Sequence, residues 1–143
     1  MIEKKQMSAK VFTDTNILIY LFDKSEKKKD IAKKVLNNIP IISVQICNEL
    51  SNILLKKFMF DEKDVKLIIN RIVESSSFYQ IDQYTVSKAL DIREKYKFSY
   101  YDSLVIASAI NSKSKILYSE DMQHKQNIET LTILNPFKEF LCV

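Results

Sequence analysis

The stretch KVFTDTNILIY, Lys10 to Tyr20, decides how the rest of the chain is read. Val11 and Phe12 have the character of a buried strand, and Ile17 through Phe22 form a second apolar run that begins almost at once. Asp14 is caught between them, where a lone carboxylate is costly to desolvate. It must either cap the helix that follows or have a cationic partner. A strand over Lys10–Asp14 leading directly into a helix over Asn16–Phe22 is the opening unit of an α/β protein.

Working outward, Ile31, Val35 and Leu36 fall at helical spacing within a lysine-rich segment from Lys27 to Asn37. After Pro40, Ile41-Ile42-Ser43 suggests a second strand. Positions 46, 47, 50, 53, 54 and 58 then mark an amphipathic helix from Val44 to Phe58. Asp61 reads as an N-cap ahead of a stripe at Val65, Ile68, Ile69, Ile72 and Val73. Ser75-Ser76-Ser77 is a loop and Phe78–Ile81 a third strand. Asp82 is placed to cap a helix with core positions Val86, Ala89, Leu90 and Arg93. Ser99 opens another helix, strongly apolar from Leu104 to Ile110, and Lys115–Tyr118 and Leu131–Leu134 supply the fourth and fifth strands. Short apolar strands alternating with helices predict an α/β fold with a parallel sheet covered on both faces.

At 143 residues, with 46% apolar and 28% charged residues, the chain has the composition of one ordinary globular domain, expected over residues 10–143. Residues 1–9 are polar and are expected to be a flexible extension. No apolar run is long enough to span a bilayer and no secretory signal is visible, so a cytoplasmic protein without a membrane partner is expected. Cys47 and Cys142 match no metal-ligand spacing, and Cys47 falls on an apolar stripe. The net charge of +4 comes almost wholly from lysine and is compatible with a polyanionic partner. The chain has no glycine, which excludes glycine-rich phosphate loops and argues against a nucleotide cofactor.

Four acids occupy unusual places. Asp14 ends the first expected strand and Asp121 follows the fourth, at the sheet edge where open parallel sheets bind ligands. Glu49 lies beside the stripe of Ile46, Leu50 and Ile53, and Asp102 shares a face with Val105, Ile106 and Ala109. Each has a plain structural reading: a helix cap for Asp14 and Asp102, a boundary residue for Glu49, a helix-dipole partner for Asp121. Their joint occurrence at converging positions favours an oxygen-rich site for Mg²⁺ or Mn²⁺. Asn16 could orient a carboxylate or a ligand water, or simply serve the turn. The only histidine, His124, is not assigned a catalytic role. The lysines at 24, 27, 28, 29, 33 and 34 could hold the phosphates of a polyanion, although a solvated helix exterior accounts for most of them.

The segments FTDTNILIYLFD, SVQICNEL, YKFSYYDSLVIASAI and ILYSEDMQHKQNIETLTILNPF, taken in order, resemble PIN-domain proteins, and most closely the VapC-like toxins of toxin–antitoxin pairs. The resemblance covers nearly the whole chain. It implies a three-layer α/β/α sandwich around a mostly parallel sheet of about five strands, and a Mg²⁺- or Mn²⁺-dependent ribonuclease site. The family's acids map onto Asp14, Glu49, Asp102 and Asp121, and its supporting polar residues onto Thr15, Asn16 and Ser119. It further implies an RNA substrate, a cognate antitoxin and a homodimer. Relatives commonly have glycine where this chain has Lys97 and Lys125, and a Cβ resists the positive φ that glycine permits. A catalytically silent RNA- or partner-binding module on the same fold is the alternative, which the presence of all four acids disfavours. A receiver or haloacid-type phosphatase is a minor one, since Asn16 stands where the phosphatase pattern has a second Asp.

Overall fold

The computed structural model describes residues 10–141. The flexible extension expected over residues 1–9, and Cys142, lie outside the described residues. Strand β1 (Val11–Thr13) leads into a one-turn helix α1 (Thr15–Leu18), continued as a 3₁₀ turn over Ile19–Phe22. Helix α2 (Glu26–Asn37), strand β2 (Ile41–Ser43), and helices α3 (Val44–Lys56) and α4 (Glu62–Glu74) follow. Then come β3 (Ser77–Tyr79), α5 (Gln83–Tyr96), α6 (Tyr100–Asn111), β4 (Ile116–Tyr118), β5 (Asn127–Ile128), β6 (Leu131–Leu134) and α7 (Pro136–Leu141). The sheet order is β3-β2-β1-β4-β6-β5, parallel throughout except for β5, which runs antiparallel to β6. Helices cover both faces, giving the expected α/β/α sandwich.

The sheet has one strand more than the five read from sequence. Strand β5 is only two residues long and joins β6 through a turn at Glu129-Thr130. That turn has none of the Asn-Gly signals that mark a tight hairpin. Glu129 takes a positive φ of 57° there, and its carboxylate pairs with the Lys88 ammonium on α5.

The main core joins Phe12, Ile42, Leu117 and Ile133 of the sheet to Ile46, Leu50 and Leu54 of α3 and to the buried run of α6. A smaller cluster of Ile17, Ile31, Val35 and Phe137 closes the fold where α2 meets α7. The stripes read for α2, α3 and α4 face inward as expected. The stripe read for α5 does not: Ala89 is buried, but Val86, Leu90 and Arg93 are exposed, and Thr85 and Ile92 take the buried places. The cause is local. Asp82 and Thr85 form a reciprocal capping box, and the Thr85 hydroxyl also meets the Tyr79 hydroxyl at 2.7 Å. These bonds turn Thr85 inward and fix the rotation of the helix, so 85, 89 and 92 define its buried face.

Without glycine, every left-handed position must be filled by a residue with a Cβ. Ile39, Met59, Lys97, Lys113, Lys125 and Glu129 all take positive φ, between 55° and 69°. Lys97 and Lys125 therefore keep the backbone conformation that glycine would favour, and the loops are not rebuilt around them. Each such residue costs roughly 1–2 kcal/mol. Ile39 is β-branched and 59% exposed, so it carries the strain with little packing to offset it. After the extra unfolded-state entropy of glycine is subtracted, Ile39→Gly is expected to stabilise by about 0.5–1 kcal/mol, a rise in Tm of roughly 2–4 °C. A thermal melt checks this, and a lowered Tm would show that the side chain's packing outweighs the strain.

Candidate active site

Strand β1 lies between β2 and β4, and the chain builds outward from it first to one side and then to the other. The switch in direction falls between β1 and β4, the place where open α/β sheets form a crevice at the carboxyl ends of their strands. Asp14 leaves β1 at this edge, and Ser119, Glu120 and Asp121 leave β4 beside it. The backbone N–H of Asp14 donates to the Tyr118 carbonyl at 2.9 Å, which locks the two exits together. Helix α3 starts directly from β2, which carries Glu49 toward the same edge. The Ser99 hydroxyl caps α6 by accepting from the Asp102 N–H at 3.2 Å, placing Asp102 in the first turn.

Of the two roles its neighbours pose for it, Asp14 takes the first, and among the described residues it forms no ion pair. It sits at the N-cap of α1, and its Oδ1 accepts from the Thr15 N–H at 2.8 Å. Its Oδ2 accepts from the Ser119 hydroxyl at 3.0 Å and from the Asn16 amide at 3.5 Å. Asn16 also donates to Ser119 at 3.3 Å and accepts from the Glu120 N–H at 3.1 Å, so one amide ties the β1 exit to the β4 exit. These bonds do not offset the burial of the carboxylate. Desolvation, reinforced by the charges of Glu49 and Asp102, pushes the Asp14 carboxyl up to about 7 despite the lowering effect of Thr15 and Ser119.

Glu49 is half-buried. Its Oε1 accepts from the Thr15 hydroxyl at 2.8 Å and its Oε2 from the Gln45 amide at 3.4 Å. The same amide donates to the Tyr101 carbonyl at 3.1 Å, so Gln45 bridges α3 to the turn of α6 that carries Asp102. Gln45 is buried, and its Oε1 has no hydrogen-bond partner. Sequence reading missed Gln45. Its signal was its position one helical turn before Glu49, the spacing at which helical side chains meet. Asp102 is half-buried, and burial, with the charge of Asp121, raises its carboxyl above the ordinary range. Asp121 is exposed, and no helix begins there to make it a dipole partner.

The four acids line a single cleft of about 570 Å³, together with Thr15, Asn16 and Lys57. Among the described residues, no three carboxylate, imidazole or thiol groups stand close enough to enclose an ion by themselves. The donor set still fits a hard cation. It is oxygen only, its most buried member is held well above its usual pKa by burial and like charge, and Mg²⁺ ordinarily takes one or two carboxylates with water in the remaining positions. His124 lies outside this group. Its Nδ1 accepts from the Asn135 N–H at 2.9 Å, and its Nε2 faces the Glu139 carboxylate at 3.3 Å. Of the lysines on α2, Lys28 lies over the Tyr20 ring, 4.7 Å from its centroid. Tyr20 in turn donates to Glu120 at 2.7 Å, a second contact holding the β4 exit.

The model of the PIN domain family matches residues 11–127, and the chain belongs to that family. No curated protein matches it. Among solved structures it is similar to a toxin–antitoxin complex from Klebsiella pneumoniae, at 22% identity and TM-score 0.66, over 90% of this chain and 98% of that one. It is also similar to VapC20 of Mycobacterium tuberculosis, a Sarcin-Ricin loop cleaving toxin, at 13% identity and TM-score 0.63, over 78% and 89% of the two chains. A third is VapBC2 of Rickettsia felis bound to a promoter DNA fragment, at 15% identity and TM-score 0.64, over 86% and 96%. At these identities the likeness is one of fold.

The elevated carboxyl of Asp14 has a consequence for stability. The folded state holds a proton up to about pH 7 that the unfolded chain releases near 3.8. Stability therefore falls as pH rises through that window and levels off above it. Asp14→Asn removes this dependence. In excess chelator the variant is expected to match wild type near pH 4, and to exceed its Tm by about 3 °C or more at pH 7.5. A difference in Tm that does not grow with pH would show that Asp14 is ionised throughout.

Proposed function

We propose that the protein is a metal-dependent endoribonuclease, the toxin of a toxin–antitoxin pair. The observation that carries this reading is the convergence of Asp14, Glu49, Asp102 and Asp121 on one cleft at the switch point of a PIN-domain sheet. The fold likeness to a toxin–antitoxin complex and to an RNA-cleaving toxin supports the substrate class and the partner. A cognate antitoxin, a homodimer and a cytoplasmic setting belong to the same proposal. No helix among the described residues is long and apolar enough to cross a membrane.

In this reading Asp14 and Asp102 would be the main ligands of Mg²⁺ or Mn²⁺, with Glu49 and Asp121 completing the site or holding its waters. The bound ion would lower the pKa of a coordinated water and offset charge developing at phosphorus. The chain's own contribution is position. Ser119 and Asn16 fix one oxygen of Asp14 and the Thr15 N–H fixes the other. The Thr15 hydroxyl and Gln45 hold the two oxygens of Glu49. Five donors thus set two carboxylates before any substrate arrives, so little reorganisation is left for the reaction. Asp121, exposed at the cleft, is free to approach solvent-borne groups.

Asp102→Asn separates folding from chemistry, because the cap at Ser99 is made to the backbone N–H and survives the change. Purified Asp102→Asn protein is expected to melt within a few degrees of wild type. Its RNA cleavage should fall by about two orders of magnitude, roughly 3 kcal/mol of barrier. Excess EDTA should abolish wild-type cleavage and Mn²⁺ or Mg²⁺ restore it. Cleavage by the folded variant at the wild-type rate would remove Asp102 from the site. Cleavage undiminished in EDTA would remove the metal.

A further inference from the structure

We infer that the cleft contains a subsite for one unpaired nucleobase and its phosphate, built by the C-terminal turn of α3, with Phe58 stacking on the base and Lys57 holding the phosphate. This rests on the ribonuclease reading and goes beyond it, since neither residue belongs to the acid site. Beyond the acids and their polar neighbours, the cleft is lined by Ile19, Asn52, Ile53, Lys57 and Phe58. Lys57 is the one cationic residue of that lining. It is exposed and forms no ion pair with any described residue, although four carboxylates share the cleft with it. A cation so placed suits a substrate that brings its own negative charge.

Phe58 is half-buried and packed between two other rings. Its ring and that of Phe22 form an edge-to-face pair at 6.2 Å, it tilts against Phe60 at 5.9 Å, and Phe22 and Phe60 themselves lie 5.9 Å apart. The turn that brings Phe58 and Phe60 to the same partner passes through Met59, at φ 57°. Met59 is 80% exposed, so its own contacts do not offset that strain. The left-handed turn instead closes the helix, with the Phe60 N–H donating to the Leu54 carbonyl at 3.1 Å, and leaves Phe58 on the cleft wall. An aromatic ring on a cleft wall beside a cation is the combination that binds single-stranded RNA, where bases stack on aromatic faces and lysine meets the backbone. Asn52, with both a donor and an acceptor, stands where a base edge could be read. An apolar side chain of a protein partner could also meet Phe58, but would leave Lys57 unanswered.

The test uses the full chain carrying Asp102→Asn in excess Mn²⁺, where bound RNA is cut about a hundredfold more slowly, and oligoribonucleotides about six nucleotides long with 2-aminopurine at each position in turn. One position should be quenched on binding. Phe58→Leu should remove that quench and weaken binding about tenfold, while Phe58→Trp, which keeps an aromatic face, should retain both. Lys57→Gln should lower the slope of log Kd against log salt by about 0.7, the loss of one phosphate contact. Melting temperatures establish that each variant is folded, and the two Phe58 variants together separate stacking from packing. An unchanged quench and affinity in Phe58→Leu, or no quench at any position in the parent, would overturn the subsite. Wild-type cleavage is assayed in parallel. Cleavage indifferent to Phe58→Leu overturns the subsite and leaves the ribonuclease reading standing, whereas neither cleavage nor binding overturns both.

Discussion

The structure turns on the cost of burying the Asp14 carboxylate. The side chain is 6% exposed, sits at the end of the strand between β2 and β4, and has two acids for neighbours. Donors surround it, yet burial keeps its carboxyl near 7. Burying an uncompensated charge ordinarily costs several kcal/mol, and a fold that needed only a helix cap could use Ser or Asn there at no such cost. Three donors from both strand exits orient this one group. Asn16 and Ser119 reach it across the β1–β4 boundary, and the Asp14 N–H ties the same boundary together from the backbone. A group so expensive, and so carefully oriented, is accounted for by a cation more readily than by capping.

The absence of glycine sets a second constraint. Ile39 and Met59 follow helices α2 and α3, Lys97 and Lys113 follow α5 and α6, and Lys125 and Glu129 shape the segment around β5; all are left-handed. Each turn is forced by topology, not permitted by residue type. Four of these residues close helices at their C-terminal ends, where a left-handed residue commonly ends a helix, and the other two turn the chain around β5. Four of the six residues are exposed long polar side chains, where the Cβ penalty is not compounded by branching at Cβ. Ile39 is the exception.

What could be read from the sequence, and what could not, follows from the range of the forces involved. Strands β1, β2 and β4 were legible as short apolar runs between polar segments, and the inward faces of α2, α3 and α4 because burial imposes a helical period that survives in the residue order. The caps at Asp61, Asp82 and Ser99 were legible because capping is local chemistry. The phase of α5 was not, since it depends on Thr85 meeting Tyr79 from another element. Strand β5 was not, because a two-residue strand has no periodicity. The four acids singled out from sequence do come to one cleft with Thr15 and Asn16, but the bonds among them, and the Ser119 bond to Asp14, could not be read in advance. Gln45 escaped notice because its partner carbonyl at Tyr101 is 56 residues away in the chain.

The distribution of charge extends the same logic to the whole surface. The net charge of +4 is carried by lysines such as those of α2, whereas the cleft gathers four carboxylates and one lysine. A polyanion is attracted to the body of such a protein and repelled by its cleft unless a divalent cation occupies it. Under the proposed function, long-range attraction and local exclusion would act in sequence: the basic exterior would raise the encounter rate, and the cleft would admit the chain only where cation, Lys57 and carboxylates are together balanced. Because the exterior is screened by salt within about 8 Å at physiological ionic strength while partly buried charges are screened much less, encounter should weaken with salt well before local recognition does.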